Sequence, residues 1–150
     1  MRARNEPKAR KLPSVPASEC EVKDGDLLTV SLDGEPIAHQ VRYCRSAGLR
    51  RKGMLWFDSI SEEQGALLVM PDNRGGKSGL MTSIHMLGVS FPLAIGWIDD
   101  RFEIVCARLA RPWRPYYASP EPASFVLELH PAHLPMLLVG TAVSWKITDR

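Results

Sequence analysis

The chain has 150 residues, enough for one domain and too few for two of ordinary size. Hydrophobic residues make up 45% and charged residues 24%, so a core can form without help from a metal or a disulfide. A net charge of +2 excludes the strongly basic surface of a general nucleic-acid binder, and no nucleic-acid partner is expected.

Before residue 12, Arg2, Arg4, Lys8, Arg10 and Lys11 oppose only Glu6, which leaves the remainder of the chain close to neutral. Pro7, Pro13 and Pro16 interrupt this stretch. Residues 1–22 read as a basic, proline-containing flexible tail or arm, and 23–150 as a single β-rich domain. No apolar run follows the basic start, so no signal peptide is expected.

The first strand is expected over Leu27–Leu32 (LLTVSL). Asp33-Gly34 turns the chain into a second, Ile37–Tyr43, with Ile37, His39, Val41 and Tyr43 on one face. Residues 44–53 suit one or two helical turns closed by Gly53. Met54-Leu55-Trp56-Phe57 should be buried, and Ser61–Gln64 should form a turn. The continuous run Ala66–Met70 (ALLVM) suits a strand covered on both faces.

From Ser78 to Ile98 the chain carries no Asp, Glu, Lys or Arg, long enough to span a bilayer. Pro92, three glycines and His85 interrupt it, so it reads as two buried strands, roughly Leu80–Met86 and Phe91–Ile98, joined at Leu87-Gly88. No membrane insertion is expected. Asp99-Asp100 then turns into a strand over Phe102–Arg108, and the prolines of 110–122 demand an irregular loop. Ser124–Leu129 is a strand, and Pro131–Val139 a short helix weakened by Pro135. Ala142–Ile147 is the last strand. About eight strands with one or two short helices make a mainly β (α+β) domain, a small antiparallel β-barrel or sandwich.

Three blocks together resemble a known family: AGLRRKGMLWFDSISEEQGALLVMP (47–71), SIHMLGVSFPLAIGWID (83–99) and RPWRPYYASPEPASFVLEL (111–129). With Val139-Gly140 leading into the last strand, their order resembles the uncharacterised prokaryotic family filed as domain of unknown function 192. The resemblance implies a compact, mainly β fold and no particular activity. Members usually carry an acid after the Phe-Pro-aliphatic element and often a base before its Phe. This chain has Ala94 and Ser90 there, a difference read as a lost structural ion pair rather than a lost site.

Among candidates for chemistry, His85 stands in the most family-specific block and could act as a base or a ligand. The simpler reading is a half-buried histidine bonded to backbone. His130 and His133 could chelate a metal from one helix face, but no third ligand follows, so no metal is expected. Arg111, Trp113, Arg114 and Tyr116, with Tyr117, could stack on or clamp a ligand, or simply brace a loop. Glu128 should face away from its apolar neighbours, toward solvent. Cys106 reads as a small core residue, and no serine has a nucleophile context. Gly75-Gly76-Lys77-Ser78 lacks the first glycine of a phosphate loop.

Cys20, Cys44 and Cys106 form no CxxC pair and read as reduced thiols of a soluble cytoplasmic protein. No cofactor is implied. The leading expectation is a binding module for a small ligand or protein, using the Arg111–Tyr116 loop and His85. The alternatives are an enzyme, hydrolase-type or metal-dependent, built on His85, and a scaffold that oligomerises through a strand edge.

Overall fold

LLTVSL and the segment after Asp33-Gly34 pair as a hairpin, β1 (Leu27–Leu32) with β2 (Glu35–Cys44), in the computed structural model. The structure describes residues 22–55, 57–71 and 82–148. The basic tail, apart from Val22, lies outside them, as do Cys20, Trp56 and the Gly75–Ser78 loop. The hairpin register shifts between Leu28/Val41 and Val30/Ala38, so β2 is bulged. The bulge corrects the expected face: Ala38, Val41 and Tyr43 point inward while His39 is exposed.

The other strands are β3 (Gln64–Val69), β4 (Leu93–Ile98), β5 (Ile104–Ala110), β6 (Phe125–Leu129) and β7 (Val143–Ile147). The seven form one sheet in the order β5-β4-β6-β3-β2-β1-β7. All pairs are antiparallel except β2–β3, which is parallel. That pair needs a crossover, supplied by α1 (Ala47–Lys52) and the residues up to 63. The sheet curls until its edges touch. Glu103 bridges Ala142, Val143 N–H donates to Phe102 O, and Ile104 N–H donates to Thr141 O. The barrel is therefore nearly closed at one place and open along the rest of β5 and β7.

Two apolar layers result. Inside the curl lie Leu28, Val30, Val41, Leu67, Ile98, Leu127 and Leu129, capped by Phe102, Phe125 and Trp145 with ring centroids 5.2–5.5 Å apart. Outside, β3, β4 and β6 present Ala66, Leu68, Ile95, Trp97 and Val126 to a second cluster with Met54, Ile84, Met86 and Val89. The central strands are thus buried on both sides, as the continuous ALLVM run predicts for β3.

Three expectations need correction. Within the expected strand at 80–86, the described residues make only the isolated bridge Ile84–Tyr117. The helix expected over 131–139 is a 3-10 helix over Pro131–Met136, because Pro135 has no N–H for an α-helical bond. Of the apolar residues at 54–57, Met54 is buried but Leu55 is exposed. Among the described residues no helix is long and apolar enough to cross a membrane.

Candidate functional site

In FVLEL, strand alternation sends Phe125, Leu127 and Leu129 inward and Val126 and Glu128 outward. Outward here does not mean into water. Glu128 sits beside Ala66 of β3 and Ile95 of β4, and only 6% of its surface is exposed. This overturns the sequence expectation of a solvent-facing acid. Its carboxylate forms no hydrogen bond or ion pair among the described residues. Burial alone pushes its pKa up, from 4.5 to about 7.

Two segments cover this face. The first is α1. Ser46 caps it by accepting a hydrogen bond from Leu49 N–H, and Asp24 Oδ1 accepts from the N–H groups of Arg45 (2.7 Å) and Ser46 (3.1 Å). Burial pushes the Asp24 pKa upward, but the hydrogen bonds from Ser46 and Arg45 outweigh it, and the net shift is down. The helix ends at Gly53, φ +42°, directly over Glu128. Arg50 Nη1 donates to the carbonyls of Arg45 and Val69, which holds that guanidinium against the end of β3.

The second cover is the segment 82–89. Trp97 Nε1 donates to Thr82 O at 2.9 Å, pinning it to the outer layer. Ile84 and Tyr117 exchange backbone hydrogen bonds of 2.9 and 3.0 Å. Met86 N–H donates to Arg114 O, and Trp113 N–H donates to Met86 O. Tyr117 Oη accepts from Arg111 N–H at 2.8 Å and folds the loop on itself.

Between the covers lies a pocket of about 320 Å³. Leu68, Met70, Met86, Val89 and Leu93 form apolar walls, Glu128 the acid, and Arg50, Arg51, Lys52 and His85 the basic groups. A small apolar cleft with few converging polar groups is the usual form of a ligand site.

Of the residues singled out from sequence, His85 lines this pocket and is exposed, with no hydrogen bond among the described residues. Arg111, Trp113, Arg114 and Tyr116 do not line it. All four are exposed, Trp113 by 61% at φ +65°. Their backbone braces the wall that carries His85. His130 and His133 do not converge on a site: His130 Nδ1 accepts from Ala132 N–H, and His133 Nε2 lies 2.7 Å from Glu62 O. Cys106 is only partly buried at the margin of the outer layer. Ala94 is fully buried inside the curl, on the sheet face opposite the Glu128 pocket, and Ser90 is exposed in a loop. An acid at 94 would therefore serve a different environment.

Glu128 is the residue that sequence reasoning missed. The available signal was its partner: a strand covered on both faces, like ALLVM, shares its cover with the strand beside it.

A curled, almost closed sheet with a covered outer face and a lateral acid-bearing pocket defines a small barrel-like β domain. The chain belongs to the family of domain of unknown function 192, described as "Uncharacterized ACR", whose model matches residues 28–143. Two solved structures share the fold. One is a protein of unknown function from Novosphingobium aromaticivorans DSM 12444, 17% identical, with a TM-score of 0.65 over 89% of this chain and 95% of that one. The other, from Sinorhizobium meliloti 1021 and provisionally named a transcription regulator, is 20% identical, with a TM-score of 0.68 over 83% and 97%. At these identities the likeness shows the fold alone. No curated protein matches the chain.

Proposed function

We propose that this protein is a binding module for a small molecule, with the pocket under α1 and the 82–89 segment as its ligand site. The observation that carries the reading is Glu128, a buried carboxylate with no partner among the described residues, facing a largely apolar pocket. Burying an ionisable group without compensation lowers stability, so its presence points to use rather than architecture. The exposed Arg111, Trp113, Arg114 and Tyr116 then serve as the outside of a pocket wall, or as a secondary contact with a protein partner. The unbridged thiols of Cys44 and Cys106 suit a reducing compartment, and we place the module in the cytoplasm.

Thermal-shift screening of small amphipathic molecules tests the reading, with Ala47→Trp as the control. Ala47 is exposed and lines the pocket, so a Trp there narrows its mouth without entering the core. Binders should raise the melting temperature of the wild-type protein, and the substitution should weaken them at least about tenfold. Binding that is indifferent to both Ala47→Trp and Glu128→Leu would place the ligand elsewhere.

A second reading, general acid–base catalysis, is favoured by one observation: Glu128, with its pKa raised to about 7, shares the pocket with His85. It requires that a bound ligand be turned over, and that Glu128→Gln and His85→Ala each abolish turnover. Recovery of chemically unchanged ligand after long incubation rules it out.

A further inference from the structure

The pocket brings both signs of charge together. The acid, Glu128, stands on β6, and the last turn of α1, which carries Arg50, Arg51 and Lys52, ends at Gly53 directly over it. Neither Arg50 nor Arg51 forms an ion pair with Glu128 among the described residues. Arg50 is instead held by the carbonyls of Arg45 and Val69. The remaining walls are aliphatic and thioether: Leu68, Met70, Met86, Val89 and Leu93.

From this arrangement we infer that the pocket receives a small amphipathic zwitterion, its ammonium group against Glu128 and its anionic group against the Arg50–Arg51 end of α1. The inference rests on the proposed reading of the pocket as the ligand site. An ammonium group supplies the hydrogen-bond donors and the charge that the buried carboxylate lacks. The apolar walls take an aliphatic body of a few carbons, since about 320 Å³ is at the small end for ligand pockets. The helix end takes the anion, which a simple amine would leave unused. A simple carboxylate would use the helix end but leave Glu128 unpaired. Apolar α-amino acids, with ammonium and carboxylate on one carbon and an aliphatic side chain beside them, have this distribution of groups.

Calorimetric titration of the full chain with four related probes tests it: L-leucine, isopentylamine, isocaproate and isopentanol. L-leucine should bind at least about tenfold tighter than the other three. Glu128→Gln keeps the shape of the side chain and removes its charge. It should weaken L-leucine and isopentylamine about tenfold or more and leave isocaproate unchanged. Arg51→Ala should weaken L-leucine and isocaproate and leave isopentylamine unchanged. Isocaproate or isopentanol binding as tightly as L-leucine overturns the zwitterion while the pocket reading stands, provided Ala47→Trp weakens that binding. The same holds if Glu128→Gln leaves L-leucine affinity unaltered. Silence of all four probes overturns the zwitterion, and the pocket itself falls only if the wider screen is silent too.

Discussion

Gly53 closes α1 directly over the carboxylate of Glu128: a β-carbon at position 53 would stand 3.2 Å from Oε2 and 3.8 Å from Oε1. The close approach and the +42° φ of Gly53 have one consequence. The helix end and the buried acid form a unit that tolerates no side chain between them.

Gly53→Ala therefore meets two penalties, a backbone conformation that L-residues avoid and contact with Oε2. The expected loss is about 1–2 kcal/mol of unfolding free energy in urea denaturation. Ligand binding in the pocket should weaken with it, because the added methyl displaces the carboxylate.

Glu128 should make the protein's stability fall as pH rises. Its folded pKa, about 7, lies above its ordinary value of 4.5. Between these values the folded state holds a proton that the unfolded state has released. Stability is then lost progressively from pH 4.5 to 7, by about 3 kcal/mol in total. Glu128→Gln removes this dependence, so its advantage over the wild-type protein should be small at pH 4.5 and largest above pH 7. Urea denaturation of both proteins across that window checks it, and parallel curves would contradict the burial of a lone acid.

Gly65 is required for a different reason. A β-carbon there would lie 2.4 Å from Glu128 O and 2.8 Å from Leu129 Cδ2, across the β3–β6 pair. Gly65→Ala must push two central strands apart. The expected destabilisation is about 2–4 kcal/mol, larger than for Gly53→Ala.

Cys44 should be inert. Burial, with the Glu128 charge nearby, raises its thiol pKa to about 12. It is 1% exposed and donates to Arg42 O at 3.5 Å. In a variant that keeps Cys44 as its one thiol, aromatic disulfide reagents at mildly alkaline pH should label it only as fast as the protein unfolds.

Trp113→Ala should be silent in small-molecule binding, since Trp113 lies outside the pocket and is 61% exposed. Trp113→Gly should leave binding unchanged and raise stability by up to about 1 kcal/mol by relieving its +65° φ. Loss of ligand affinity in either variant would return the site to the Arg111–Tyr117 loop.

Much of the fold is legible in the sequence. Leu27–Leu32 and the Asp33-Gly34 turn stand where the residues place them, because β-branched alternation and a turn dipeptide are local properties. Gly53 ends α1 for an equally local reason. The hairpin bulge was not legible, since a register shift depends on both strands, and it reversed the expected facing of His39. The parallel β2–β3 pair was hidden for a related reason: periodicity shows where a strand lies but not which neighbour it takes.

The candidate site divides in the same way. His85 could be found because its residue type and neighbourhood mark it, and the structure places it on the pocket. Glu128 could not, because alternation specifies only that it faces opposite Leu127 and Leu129. Whether that face meets water depends on the segment 82–89, the backbone of 113–117 and the end of α1, all distant in the chain. By itself, then, the sequence determined seven of the eight expected strands, the turns, the mainly β class and the family. Tertiary structure alone decided which acid is buried, which cations share its pocket and that Arg111–Tyr116 lies outside. Secondary structure follows from short-range sterics and hydrogen bonding, whereas burial and pKa follow from what packs on top.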